Sequence, residues 1–271
     1  TLVIGSDCDN HDGGTDAGSA YVFVRSGGFW AEQAKLNASD AAAHDEFGFS
    51  VAVSGDTAVI GALWDDNAGG TDAGSAYVFI RSDGFWIEQA KLTASDAAAG
   101  DRFGRSVAVS GDTAVIGSYY GDHSGTTDAG SVYVFVRSGG VWTEQAKLTA
   151  SDAAADDLFG SSVAVCGDTA VIGARADDHT GATDAGAAYV FIRSGGVWTQ
   201  QAKLTASDAE ASDFFGWSVA VSGDTAVIGA YADDHAGGTQ AGSAYVFIRS
   251  GGVWTEQAKL TASDAGENNY L

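Results

Sequence analysis

The sequence has no proline, only two cysteines in 271 residues, and thirteen basic residues against thirty-six acidic ones. Each shortage closes off a class of protein. Without proline, the turns must rest on glycine, aspartate and serine. Cys8 and Cys166 are too few for a disulfide-stapled scaffold. The net charge of −23 argues against nucleic acid and anionic membrane surfaces, which need a basic stripe. Cations, cationic proteins and neutral glycans remain as compatible partners. So large a charge also repels itself, so salt or divalent ions should help the fold. No apolar run reaches the roughly 18–20 residues that span a bilayer. No stretch carries the apolar 3.6-residue period of a packed helix. Residue 1 is Thr rather than Met, and the chain reads as a processed product or a fragment of something longer.

What the sequence has is a repeat. Trp30, Trp86, Trp142, Trp198 and Trp254 stand 56 residues apart, as do Phe47, Phe103, Phe159 and Phe215. Arg25, Arg81, Arg137, Arg193 and Arg249 keep the same register, and so do Lys35, Lys91, Lys147, Lys203 and Lys259. Each copy predicts four short strands, read in the third copy as A (106–109), B (113–118), C (132–137) and D (142–148), all rich in Val, Ile, Tyr, Phe and Trp. Ser-Gly-Asp joins A to B and Gly-Gly joins C to D, pairs that supply the positive φ of tight hairpins. The B–C and D–A loops are longer and rich in Asp, Gly and Ala. Four antiparallel strands at a fixed period of this size predict the blades of a propeller. A linear β-solenoid or a set of sandwiches is the alternative. The expected fold is therefore all-β, a five-bladed β-propeller in a single domain, 1–271. It has a partial blade over 1–49 and blades at about 50–105, 106–161, 162–217 and 218–271. The chain opens on Thr1-Leu2-Val3-Ile4-Gly5, which aligns with strand B, so nineteen strands are expected and strand A of the first blade is missing. A continuation of the chain or a neighbouring subunit would have to supply it, or an inner edge stays open.

Phe103-Gly104-Arg105-Ser106-Val107-Ala108-Val109, then Gly111-Asp112, then Val115-Ile116-Gly117, resembles the FG-GAP repeat of integrin α-subunit propellers and of many extracellular proteins. The resemblance recurs in every copy. It implies a propeller fold, an extracellular or cell-surface location, and a role in adhesion or binding. The chain departs from the pattern in two places. The proline of the "GAP" element is absent, the copies reading Gly61-Ala62-Leu63, Gly117-Ser118-Tyr119, Gly173-Ala174-Arg175 and Gly229-Ala230-Tyr231. The A–B connection, Ser54-Gly55-Asp56, is too short to wrap an ion that takes six to eight oxygens, so the calcium loop of integrin-type repeats does not transfer.

In a propeller the B–C and D–A loops would share one face, which is then strongly acidic. That geometry puts Cys8 on the acidic face and Cys166 on the other, unpaired. The B–C loops hold the candidate ligands for a hard cation such as Ca2+: Asp9, Asp16, Asp65, Asp66, Asp72, Asp122, Asp128, Asp177, Asp178, Asp184, Asp233 and Asp234. A solvated acidic loop with Asp and Gly serving turns is the competing reading. His11, His123, His179 and His235 recur in the same loops, with Asn67 in their place once, and read as solvated loop residues. Because an active site needs one special constellation and every acidic pair is repeated, no enzyme is expected and no cofactor is required. The scaffold is nearly invariant between copies, whereas two places vary. One follows Phe-Gly (Phe49, Arg105, Ser161, Trp217); the other ends strand B (Leu63-Trp64, Tyr119-Tyr120, Arg175-Ala176, Tyr231-Ala232). Phe49, Leu63, Trp64, Arg105, Tyr119, Tyr120, Arg175, Trp217 and Tyr231 are accordingly the candidate contacts to a glycan or protein ligand, with packing between blades as the alternative. A non-catalytic binding or adhesion module and a structural spacer or assembly unit are the two functions that fit. Asn37-Ala38-Ser39 is a glycosylation acceptor in a eukaryotic source.

Overall fold

A computed structural model describes residues 1–123, 125–179, 182–268 and 270. The described residues form nineteen strands and no helix. β1 (Leu2–Ser6), β2 (Ser19–Ser26) and β3 (Phe29–Leu36) make a three-stranded first sheet that lacks strand A. The second sheet contains β4 (Ser50–Ser54), β5 (Thr57–Ala62), β6 (Ser75–Ser82) and β7 (Phe85–Leu92). The third contains β8 (Phe103–Ser110), β9 (Thr113–Ser118), β10 (Ser131–Ser138) and β11 (Val141–Leu148). The fourth contains β12 (Phe159–Cys166), β13 (Thr169–Ala174), β14 (Ala187–Ser194) and β15 (Val197–Leu204). The fifth contains β16 (Phe215–Ser222), β17 (Thr225–Ala230), β18 (Ser243–Ser250) and β19 (Val253–Leu260). The chain divides into two compact units, residues 1–121 with 133–147, and 122–132 with 148–271. The first unit carries the first two sheets and most of the third.

Strand alternation gives each sheet two different faces. In the second sheet, Val59, Ala76, Val78 and Leu92 line an aliphatic face, while Ala58, Ile60, Tyr77 and Phe79 line an aromatic one. Sheets pack aliphatic face on aromatic face. Within the first unit, Val3, Ala20, Val22 and Leu36 of the first sheet meet the aromatic face of the second. The aliphatic face of the second meets Ala114, Ile116, Tyr133, Phe135 and Trp142 of the third. Within the second unit, Val171, Ala188, Val190 and Leu204 meet Ala226, Ile228, Tyr245, Phe247 and Trp254. The phenylalanine of each Phe-Gly pair plugs such a layer edge-on: Phe47 lies 5.4 Å from the Tyr77 ring and 6.0 Å from Phe79, a geometry that suits the ring quadrupoles.

Polar clips join the same neighbours. Trp86 Nε1 donates to Gln33 Oε1 (3.0 Å), Trp142 to Gln89 (2.9 Å) and Trp254 to Gln201 (3.0 Å). The Glu88 carboxylate accepts from the N–H and hydroxyl of Ser39, as Glu144 does from Ser95 and Glu256 from Ser207. Close approach explains the glycine at the centre of strand B. A Cβ on Gly61 would collide with the carbonyl oxygen of Gly104, and one on Gly173 with that of Gly216, whereas Gly229 in the fifth sheet meets only Ser218.

Strand B lies where the sequence puts it. Strand A of the third sheet starts earlier, at Phe103 rather than Ser106, because a bulge between Phe103 and Ser106 lets Phe103 pair with Ser118. Cys8 and Cys166 are free thiols. Among the described residues no helix is long and apolar enough to cross a membrane.

Candidate functional site

The B–C and D–A loops are anchored by a repeated ionic knot. Lys91 Nζ lies 2.7 Å from Asp40 Oδ2 and 2.9 Å from Asp65 Oδ2. The Tyr77 hydroxyl donates to Asp40 (2.8 Å) and Asp65 (3.0 Å), and Ser75 Oγ donates to Asp65 (2.6 Å). Lys203 with Asp152, Asp177 and Tyr189, and Lys259 with Asp208, Asp233 and Tyr245, repeat it. In the third copy Gly121 stands at the position of Asp65, and Lys147 pairs with Asp96 at 2.7 Å. Burial would raise Asp40, but the bonds from Lys91 and Tyr77 outweigh it and hold the carboxyl below its usual range. In the first copy the hydrogen bond from Lys35 takes Asp9 down to about 2. A different aspartate goes the other way. Burial pushes Asp45, Asp157 and Asp213 up to about 6, even though each accepts a backbone N–H, from Ala42, Ala154 and Glu210 respectively.

The remaining loop residues close turns. Asp66 Oδ1 accepts the N–H of Asp72 at 2.8 Å, and Asp122, Asp178 and Asp234 do the same for Asp128, Asp184 and Gln240. Asp16, Asp72, Asp128 and Asp184 sit in the left-handed region at φ of 52–55°. Asn67 donates from Nδ2 to Gly74 O (2.7 Å) and accepts from Gly69 N (2.8 Å). His235 bridges the same two places, Nε2 to Gly242 O (3.1 Å) and Nδ1 to Gly237 N (2.9 Å), and His11 does likewise. His11 and His235 are loop staples with half-buried rings, where the sequence suggests solvated residues. Their Nε2–H tautomer follows from the two partners. The candidate cation ligands thus divide between the knot (Asp9, Asp65, Asp177, Asp233) and the turns. Among the described residues no three His, Cys, Asp or Glu side chains gather as a metal-binding group.

The copy-variable residues do gather. In the first unit the Arg102 guanidinium lies 3.8 Å from the Trp64 ring centre and 4.7 Å from Tyr120, and its Nη1 donates to Tyr119 Oη at 2.9 Å. Tyr119 and Tyr120 stack at 4.1 Å. Arg105 covers Phe49 at 4.7 Å and Tyr119 at 5.6 Å. Trp64 Nε1 donates to Glu46 at 3.0 Å. In the second unit Arg175 lies 4.8 Å from Trp217, which stacks on Tyr231 at 4.4 Å, and Tyr231 stacks on Tyr270 at 4.6 Å. The Nε atoms of Arg102 and Arg175 are buried without a hydrogen-bond partner. Trp64, Tyr120, Phe49, Arg105, Arg175 and Tyr231 are half-buried, and Trp217 is 38 % exposed. Leu63 and Tyr119 are buried, at 2 % and 6 % exposed, so neither offers a surface contact; Tyr119 lies under the first cluster.

A third variable position completes both clusters. The residue before Phe-Gly is Glu46, Arg102, Leu158 and Phe214 in successive copies, Tyr270 holds the equivalent place 56 residues on, and all five have φ between 51° and 59°. Large side chains are costly in that region, which is a mark of a constrained site. Its signal in the sequence is variation between copies, as free as that after Phe-Gly and at the end of strand B.

Beside Trp64 the first unit has an open cleft of about 380 Å³ lined by Asp40, Asp45, Glu46, Asp65, Asp66, Asp72, His44 and Lys91. Its walls carry many more carboxylates than cations. The repeating arginines lie elsewhere, paired with A–B turns: Arg81 with Asp56, Arg137 with Asp112, Arg193 with Asp168 and Arg249 with Asp224.

Four stretches of the chain, residues 30–79, 86–135, 142–191 and 198–247, match the family model described as FG-GAP repeat. No curated protein matches the chain.

Proposed function

Because the chain belongs to the FG-GAP repeat family, we propose that it is a non-catalytic binding or adhesion module acting outside the cell. The proposal takes its sheets as blades of a β-propeller and its B–C and D–A loops as the binding end. The observation that carries it is the contrast within each repeat. The sheets repeat nearly unchanged, while the residues that differ collect around arginines stacked on Trp64 and Trp217. A scaffold used only as scaffold has no need of unlike aromatic and cationic groups held in left-handed backbone with buried donors unfilled.

The acidic cleft with its indole wall suits the basic side chains of a protein partner, by charge and by cation–π attraction. The exposed Trp217 favours a neutral sugar ring as a second ligand class. Ca2+ at the B–C loops belongs to the same proposal only as a weak surface ligand, since the knot consumes those loops' buried carboxylates, Asp65, Asp177 and Asp233. The alternative is a structural spacer or assembly unit of a larger extracellular protein.

Arrays of basic peptides and of glycans test the reading. Wild-type chain is expected to bind a defined subset, with the peptide signal lost in Trp64→Ala and any glycan signal lost in Trp217→Ala. An empty array, or signals unchanged in both variants, removes the binding module and leaves the spacer.

A further inference from the structure

Four of the five knot lysines reach the aspartate of their own B–C loop. Lys35, Lys91, Lys203 and Lys259 meet Asp9, Asp65, Asp177 and Asp233 at 2.7–2.9 Å. In the third copy Gly121 stands at that position. The turn itself is kept, since Gly121 N donates to Ser118 O at 3.0 Å as Asp65 N does to Ala62 O at 3.3 Å. What the third knot lacks is a side chain, a methylene and a carboxylate, together the size of acetate. Lys147 Nζ pairs with Asp96 at 2.7 Å, and the N–H that its counterparts give to the second carboxylate has no acceptor among the described residues. The Tyr133 hydroxyl donates to Asp96 at 2.6 Å, whereas Tyr77, Tyr189 and Tyr245 each lie between two aspartates. The Lys147 side chain is as open to solvent as that of Lys91.

A second replacement acts in the same direction. In the second copy Glu46, Trp64, Asp65 and Lys91 line one cleft. A step of 56 residues turns these into Arg102, Tyr120, Gly121 and Lys147, all within the first unit. Glu to Arg is two charges and Asp to Gly one, so the third-copy set is less negative by three. The Arg102 guanidinium lies 4.7 Å from the ring of Tyr120, the residue before Gly121. We propose that this loop end binds a carboxylate group, seated at Gly121 against the Lys147 ammonium and the Tyr133 hydroxyl, with Arg102 and the Tyr120 ring beside it. The other copies show that the seat accepts a carboxylate, because their own aspartates fill it with charge-assisted hydrogen bonds. The donors are held by the knot before the ligand arrives, which lowers the ordering cost of binding. A free short acid such as acetate matches the missing side chain. A uronic sugar adds a ring for Tyr120 and places its carboxylate in reach of the same cations.

The test is a titration of the 15N-labelled chain with sodium acetate or sodium glucuronate replacing chloride at fixed sodium, in salt that screens the net charge of −23. The amide resonances of Gly121 and Lys147 are expected to shift and saturate at millimolar carboxylate, while those of Asp65 and Lys91 stay in place. Gly121→Asp gives the third copy the side chain that the second, fourth and fifth already carry, so it should fold as wild type does. In that variant the Lys147 shift should need at least about tenfold more carboxylate. Glucuronate binding that is tighter than acetate binding, and weakened at least about tenfold by Arg102→Glu, identifies a carboxylated sugar as the ligand. Acetate binding as tight as glucuronate binding, and indifferent to Arg102→Glu, identifies a free short acid. No saturable shift with either salt overturns the proposal. So does an equal shift with sodium chloride alone, or an unchanged response in Gly121→Asp. The arrays are read at Trp64 and Trp217, so either proposal can fail without the other.

Discussion

Asn67 and its counterparts His11 and His235 make the same two hydrogen bonds across the B–C loop. His235→Asn should therefore leave the denaturant midpoint unchanged, while His235→Ala should cost about 1 kcal/mol by stranding a carbonyl and an N–H. A charge effect acts nearby. Asp45, Asp157 and Asp213 have folded values of about 6 against 3.8 unfolded, so the folded chain binds protons more tightly. Each costs stability at neutral pH, and the cost is relieved as pH falls from about 6 towards 3.8. Below that window the lowered carboxylates, Asp40, Asp152, Asp208 and Asp9, lose their contribution. The melting temperature should then peak in mildly acidic buffer. Asp157→Asn, keeping an acceptor for Ala154 N–H, should gain about 1–2 kcal/mol at pH 7 and flatten the profile. A melting temperature that falls steadily from pH 7 to 4 would contradict this.

At the scale of the strand and sheet, the central glycine of strand B differs between copies in what its Cβ would meet. Gly61→Ala should cost roughly 1–3 kcal/mol, because backbone of the next copy blocks the new methyl. Gly229→Ala, where only the Ser218 side chain must turn, should cost much less in the same urea titration. The strands themselves were legible from short β-branched runs between Gly-bearing turns. The early start of β8 was not, since the bulge at Phe103 follows from pairing rather than from propensity. The knots were hidden for a different reason. Lys91, Asp40 and Asp65 are far apart in sequence, and a loop aspartate that binds a lysine looks the same in the chain as one that faces water. Of the clusters, two variable positions were visible between copies; the third, at Glu46 and Arg102, becomes meaningful only once its left-handed backbone turns it towards Trp64 and Tyr120.

For the whole molecule the balance of charge dominates. The repeating lysines of all five copies, and the arginines of all but the first, pair with aspartates, so the excess negative charge belongs to the loops and turns. Salt should raise the melting temperature by relieving that repulsion. Ca2+ and Mg2+ should do so about equally; a rise specific to Ca2+ at low concentration would instead assign a metal to the B–C loops.

The central claim is that the loop end around Trp64 accepts a basic partner while the rest of the repeat is support. It is tested most directly by following the seven indole N–H resonances during titration with an arginine-rich peptide at moderate salt. Trp64 is expected to shift and saturate, with Trp86 and Trp142, which are bonded to glutamines away from the cleft, staying put. A stationary Trp64, or equal drift in all the indoles, would contradict the account.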